Sequence, residues 1–234
     1  METVKAIFFD LGDTLASTDP PYLHRIAQAM RESGLNISDK EFELEYTKAD
    51  YKLFLKHKEE GGMKPKDYRK WFLPLLYESL LPGQDTQAVD QFRQNVRSAM
   101  SQIDFGRVAL PGAVELLEYL KERGYRLAVI SNNDGNTEEK CDEVNIREYF
   151  DIIFDSTNLD MIKPDPRIFD HALKELGLST REAIHVGDMY GADIMGGMNA
   201  GLDVIWLNHR EIEGLSHPLI KEVSELIEIK DIFK

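Results

Sequence analysis

The chain has 234 residues, of which 42% are apolar and 30% charged; at roughly 150 residues per domain this is one full domain plus an insertion or a small second domain. Its 28 basic and 42 acidic side chains leave a net charge of −14, which opposes long-range attraction to nucleic acid or to an anionic membrane surface. One cysteine, Cys141, excludes an intrachain disulfide framework and a cysteine-built zinc cage.

No stretch approaches the roughly eighteen apolar residues of a membrane span. The opening Met1-Glu2-Thr3-Val4-Lys5 leads into a short apolar run without a cleavage site of small residues, so the expectation is a cytoplasmic protein without a membrane partner. From Val4 to Phe9 that run reads as a buried strand, ending in the loop Asp10-Leu11-Gly12-Asp13. Between Ala16 and about Asp104 the texture changes to helical periodicity, as in Leu23, Ile26, Ala27 and Met30, with breaks at Gly61-Gly62, Pro65 and Pro82-Gly83. Four or five helices fit this stretch, and no good strand does.

After Leu110-Pro111-Gly112 the pattern predicts a helix over 113–123, stopped by Gly124, and a strand near 127–130. Further strands are expected near 152–154, 183–186 and 203–207, with helices over 167–176 and 193–200, ended by Gly177 and Gly201. A last helix or short strand is expected on the sheet edge between Leu219 and Lys234. Strand followed by helix, repeated, means an α/β fold: a Rossmann-like parallel sheet in three layers. The helical block interrupts it directly after the first strand, which reads as an inserted all-helical domain. The expected division is 1–16 and 106–234 for the α/β core and 17–105 for the insertion, with linkers around 16–21 and 103–112. Residues 18–105 hold about 13 basic and 14 acidic side chains, so nearly all the net negative charge falls on the core.

In open parallel sheets ligands bind beyond the carboxyl ends of the strands. The loops there hold Asp10 and Asp13; Ser131, Asn132 and Asn133; Lys163 and Pro164; and Gly187-Asp188 followed by Asp193. Singly, an aspartate at a strand end can close a turn, Ser131 can cap a helix, and Lys163 can be a surface cation. Together they gather carboxylates, a lysine and a hydroxyl at one edge, an arrangement that needs a cation to offset its own repulsion. All-oxygen donors suit a hard ion, and magnesium fits best.

These segments resemble the four signature motifs of the haloacid dehalogenase superfamily of aspartate-nucleophile hydrolases. Phe8 to Leu15 is similar to the first, Val129-Ile130-Ser131-Asn132 to the second, Lys163 to Phe169 to the third, and His185-Val186-Gly187-Asp188 through Asp193 to the fourth. The branch with a helical cap inserted after the first strand, whose members act as phosphatases, is the most similar. The resemblance implies that Asp10 attacks phosphorus and forms an aspartyl-phosphate. It implies that Asp10, Asp188 and the main-chain carbonyl of Gly12 hold Mg²⁺. Ser131, Asn132 and Lys163 would bind the phosphoryl group and offset its charge, and Asp193 would position Lys163 or a metal-bound water. The substrate implied is a small phosphorylated metabolite; the oligomeric state is not legible.

The chain departs from the family pattern at one position. The phosphatase pattern puts an acid/base aspartate two residues after the nucleophile, where this chain has Gly12, with Asp13 following. Either Asp13 takes over proton transfer, the substrate carries a good leaving group such as an acyl phosphate, or turnover is slow. Two other readings remain open. One is a 2-haloacid dehalogenase using the same nucleophile, although Asp188 would then have no metal to hold, and such enzymes carry a bulky aromatic in place of Gly12. The other is a weakly active sensor of phosphate ligands or an interaction module. His185 reads as a packed, hydrogen-bonded histidine. The basic stretch from Lys52 to Lys70 reads as a solvated face, and Tyr68, Trp71 and Phe72 as core of the cap.

Overall fold

The computed structural model describes residues 3–234. Strand β1 (Ala6–Phe9) leads into β2 (Ala16–Asp19), α1 (Tyr22–Glu32), α2 (Asp39–Glu60), a 3₁₀ turn at Pro65–Asp67, α3 (Tyr68–Leu80), α4 (Thr86–Met100) and β3 (Gly106–Ala109). The chain then alternates through α5 (Ala113–Glu122), β4 (Arg126–Ser131), α6 (Thr137–Glu143), β5 (Ile152–Asp155), α7 (Ser156–Leu159), α8 (Pro166–Leu176) and β6 (Ala183–Gly187). A π-helix (Tyr190–Met195) runs into α9 (Gly196–Asn199), followed by β7 (Asp203–Leu207), β8 (Lys221–Val223) and α10 (Ile229–Ile232).

Six strands form one sheet in the order β5-β4-β1-β6-β7-β8, and every pairing in it is parallel. This is the expected Rossmann-like α/β fold. Strand β1 is buried on both faces because its residues alternate between two cores. Ile7 and Phe9 join the cluster under α5 with Leu116, Leu117 and Leu120. Ala6 and Phe8 join the cluster under α8 with Ile168, Phe169 and Ala172. The order reverses around β1, with β4 on one side and β6 on the other, and such a switch point opens a crevice beyond the strand ends. Local chemistry fixes the flanking helices. Asp165 accepts from the Arg167 amide at the start of α8, Pro166 occupies its first turn, and Gly177 ends it with φ of +65°.

Helices α1 to α4 build a separate core from Leu23, Ala27, Met30, Phe42, Leu53 and Phe72, as the helical periodicity predicted. The longest, α2, opens with a capping box between Ser38 and Glu41, which satisfies two of the amides that a helix start leaves unpaired.

Two expectations need correction. The segments read as linkers are strands: β2 and β3 pair antiparallel, from Ala16 opposite Ala109 to Asp19 opposite Gly106. Both crossings between sheet and helices therefore run through one ribbon. Each strand has only four residues, with Ser17, Thr18 and Asp19 in one, too short and too polar to announce itself by alternation. The helix expected from Asp193 begins earlier, at Tyr190, as a π-helix. Its wider turn reflects tertiary packing and leaves no mark in the periodicity.

Candidate active site

The carboxyl ends of β1, β4 and β6 and the loop after β5 converge on a cavity of about 730 Å³. Asp10 follows β1 directly, and its amide donates to the Val186 carbonyl on β6 at 2.9 Å, so the sheet fixes where its side chain emerges. Lys163 is 1% exposed. Its Nζ donates to Asp10 Oδ1 at 2.6 Å, to Asp193 Oδ1 at 2.7 Å and to the Ile130 carbonyl at 2.6 Å, so all three ammonium protons are used.

The Lys163 backbone is clamped by Asn132, whose Oδ1 accepts its amide at 2.9 Å and whose Nδ2 donates to its carbonyl at 2.9 Å. Asn132 lines the cavity, but its side-chain amide is committed to holding Lys163. Ser131, at the end of β4, is buried and lines the same cavity.

Asp193 is the junction of the site. Besides Lys163, its Oδ1 meets His185 Nε2 at 3.0 Å, and its Oδ2 accepts the Met189 amide at 3.0 Å. Burial alone would raise its pKa, but Lys163 and His185 outweigh that and hold it low. Burial depresses the pKa of His185 against the pull of Asp193, and its ring meets Phe169 edge-on at 5.0 Å. This is the packed, hydrogen-bonded histidine that the sequence suggested. Gly187 makes room for the arrangement, since a Cβ there would lie 2.3 Å from Asp193 Cγ.

Asp188 faces Asp10 and Asp193, and oxygens of the three buried carboxylates lie within 4.8 Å of one another. Burial pushes the Asp10 carboxyl well above the usual range against the pull of Lys163, with Asp193 and Asp188 adding to the rise. Burial likewise raises Asp188. Lys163 offsets the charge of Asp10 and Asp193 in part. The donors of the cluster are all hard oxygens, which is the chemistry of a magnesium site.

Two partners of this cluster, and one residue that docks beside it, were not legible in the sequence. Thr14 Oγ1 donates to Asp188 Oδ1 at 3.0 Å. Arg210, in the loop after β7, donates from Nη1 to Asp188 Oδ2 at 2.6 Å and from Nη2 to Asp13 Oδ2 at 2.9 Å. From the insertion, Asp50 on α2 reaches the backbone amides of Gly191 and Ala192, the latter at 3.2 Å. Asp13 lines the cavity, has a left-handed backbone with φ of +54°, and accepts from Ser17 Oγ at 2.5 Å.

The basic stretch of the insertion divides. Lys66, Tyr68 and Arg69 line the cavity, whereas Lys56 pairs with Glu60 at 2.6 Å and lies 5.2 Å from the centre of the Trp71 ring. Tyr68 also stacks on Phe72 at 5.4 Å, so it serves core and cavity together.

Residues 4–201 match the family model of the haloacid dehalogenase-like hydrolases. The chain belongs to this family. A protein of Methanothermobacter thermautotrophicus named glyceraldehyde 3-phosphate phosphatase is 30% identical over 97% of this chain and 99% of its own length. Human haloacid dehalogenase-like hydrolase domain-containing protein 3 is 31% identical over 85% of this chain and 80% of its own. Among solved structures, the HAD-hydrolase YfnB of Bacillus subtilis superposes with a TM-score of 0.63 at 22% identity, covering 99% of each chain, which establishes the shared fold.

Proposed function

We propose that this haloacid dehalogenase-like hydrolase is a Mg²⁺-dependent phosphatase of a small phosphorylated metabolite, acting through an aspartyl-phosphate on Asp10. The observation that carries the reading is the triad of Asp10, Lys163 and Asp193 beside Asp188, buried at the mouth of a parallel sheet and opening on one cavity. The relative from Methanothermobacter, aligned over nearly the whole chain, is named a phosphatase.

The phosphorus of a monoester is shielded by anionic oxygens, so a carboxylate attacks it only where that charge is offset. Asp10 is the nucleophile, which splits one displacement into two easier ones. Lys163 offsets charge on Asp10 and on the transferring group, and Asn132 and Asp193 hold it in place. Ser131 donates to the phosphoryl oxygens. Asp10, Asp188 and the Gly12 carbonyl would hold Mg²⁺, which supplies further neutralisation of the carboxylates and the phosphoryl group. Asp13 moves the proton that the residue at Gly12 cannot. The helical insertion acts as a cap, carrying Tyr68 and Arg69 to the cavity and shutting out bulk water during the reaction.

The test is hydrolysis of p-nitrophenyl phosphate followed by acid quench and peptide mass spectrometry. We expect Mg²⁺-dependent turnover, a phosphoryl adduct on the peptide containing Asp10, and loss of both in Asp10→Asn. Undiminished hydrolysis in chelator, or in Asp10→Asn, would remove the reading.

A further inference from the structure

Among the described residues, three lysine or arginine side chains are buried: Arg25, Lys163 and Arg210. Lys163 pairs with Asp10 and Asp193, and Arg210 with Asp188 and Asp13. Arg25, on α1, has no carboxylate within ion-pairing distance among the described residues. Its Nη2 donates to Thr18 Oγ1 at 3.2 Å, its guanidinium lies 3.8 Å from the centre of the Phe105 ring, and its buried Nε has no partner among the described residues. Asp13, whose charge acts on it from beyond ion-pairing distance, is already held by Ser17 and Arg210. The side chain is only 4% exposed, yet it lines the cavity that contains Asp10.

A buried cation without a counterion is costly, because the protein has removed its water and returned no charge. Phe105 and Thr18 hold the plane of the guanidinium and leave its remaining N–H groups unpaired. Three further cations from the insertion and ribbon, Lys66, Arg69 and Arg107, line the same cavity, and Arg107 Nε is occupied by Glu143 at 2.9 Å. The side of the cavity formed by the insertion and ribbon is therefore rich in cations, its carboxylate Asp50 being turned onto the Gly191 and Ala192 amides, while the other carboxylates gather at the strand ends.

We propose that Arg25 binds a second oxyanion on the substrate, a carboxylate or a second phosphate, at the end remote from the phosphoryl group that meets Asp10. The inference rests on the phosphatase reading and narrows its substrate class to phosphomonoesters bearing another anionic group. Arg25 presents the planar, fixed fork that suits either oxyanion. Because it contacts the remote end, its contribution falls on binding of the whole substrate more than on the chemical step.

The experiment compares kcat/KM within two pairs of matched compounds. In the first, 3-phosphoglycerate and glyceraldehyde 3-phosphate share a carbon skeleton and differ as carboxylate against aldehyde. In the second, fructose 1,6-bisphosphate and fructose 6-phosphate differ by a second phosphate. We expect the wild type to prefer the more anionic member of at least one pair by on the order of ten- to a hundredfold, the worth of a hydrogen bond to a charged group. The preference should lie mainly in KM, and the pair that shows it identifies the anion. In Arg25→Gln the ratio should collapse toward one, and Arg25→Lys should recover part of it.

Equal kcat/KM within both pairs for the wild type overturns the proposal without needing any variant, as does a ratio unchanged in Arg25→Gln. Hydrolysis of p-nitrophenyl phosphate by the same preparation separates the two failures: if it proceeds, the phosphatase reading stands while the Arg25 proposal falls, and if no phosphate ester is hydrolysed, both fall.

Discussion

The exchange of residues at Gly12 and Asp13 turns a general question about the family into one about two side chains. Asp13 stands on the cavity wall with one oxygen on Ser17 and the other on Arg210, so it must release a partner before it can carry a proton. If it is the proton carrier, Asp13→Asn should lower kcat about 10²- to 10⁴-fold on an alkyl phosphate. It should lower kcat far less on acetyl phosphate, whose leaving group departs without a proton. Equal losses on both substrates would assign Asp13 to holding Arg210 rather than to chemistry. At this scale the sequence revealed Asp10, Ser131 and Asp188 because they end or follow apolar runs of strand length, and Lys163 and Asp193 because they lie farther along the loops those runs announce. It did not reveal Arg210, Thr14, Arg25 or Asp50. Their roles come from loop paths and from docking between the two parts of the chain, and neither leaves a periodic signal.

Among elements, the contact between α2 and the π-helix joins the insertion to the sheet. Backbone meets backbone there: a Cβ at Gly191 would lie 2.2 Å from the Asp50 carbonyl oxygen. Burial raises the Asp50 carboxyl to about 7, although the amides of Gly191 and Ala192 pull it down, and Oδ1 has no partner among the described residues. A carboxyl whose folded pKa lies above its unfolded one stabilises the fold in its protonated form, and that contribution is lost as pH rises through about 7. Asp50→Asn keeps an acceptor for the two amides and never ionises. The variant should therefore gain in stability on the wild type as pH rises from about 4 to about 7 and keep that gain above it. The gain should reach on the order of a few kcal/mol, at about 1.4 kcal/mol per pKa unit, read from urea midpoints at pH 5 and pH 8. A gap independent of pH would mean that Asp50 titrates normally. Five strands of the sheet, β1 and β4 to β7, and helices α5 and α8 were legible to within a few residues, because strong apolar runs and stops such as Gly177 mark their ends, whereas the short, polar α6 was not. Nor were the ribbon and the π-helix, since one is short and polar and the other is a packing response.

For the molecule as a whole, the net charge of −14 is concentrated in the α/β core, and the carboxylate cluster is its most crowded point. A divalent ion that binds only the folded chain adds RT ln(1 + [L]/Kd) to stability, about 2.7 kcal/mol at a hundred times Kd. For a chain of this size that is roughly 5–10 °C in Tm. We expect Mg²⁺ to produce such a rise in the wild type and little or none in Asp188→Asn, with calorimetry as the measurement. Absence of a shift in the wild type at millimolar Mg²⁺ would count against the cluster as its site.

The ribbon of β2 and β3 has a consequence for how such molecules change over time. Asp19 and Gly106 sit opposite one another across it, so everything strung between them leaves and returns at a single doorway. A tight turn of two or three residues could close that doorway, and a different head could be hung on it, without shifting any strand of the sheet beneath. Selectivity can then be rewritten by trading heads while the reactive floor is inherited intact.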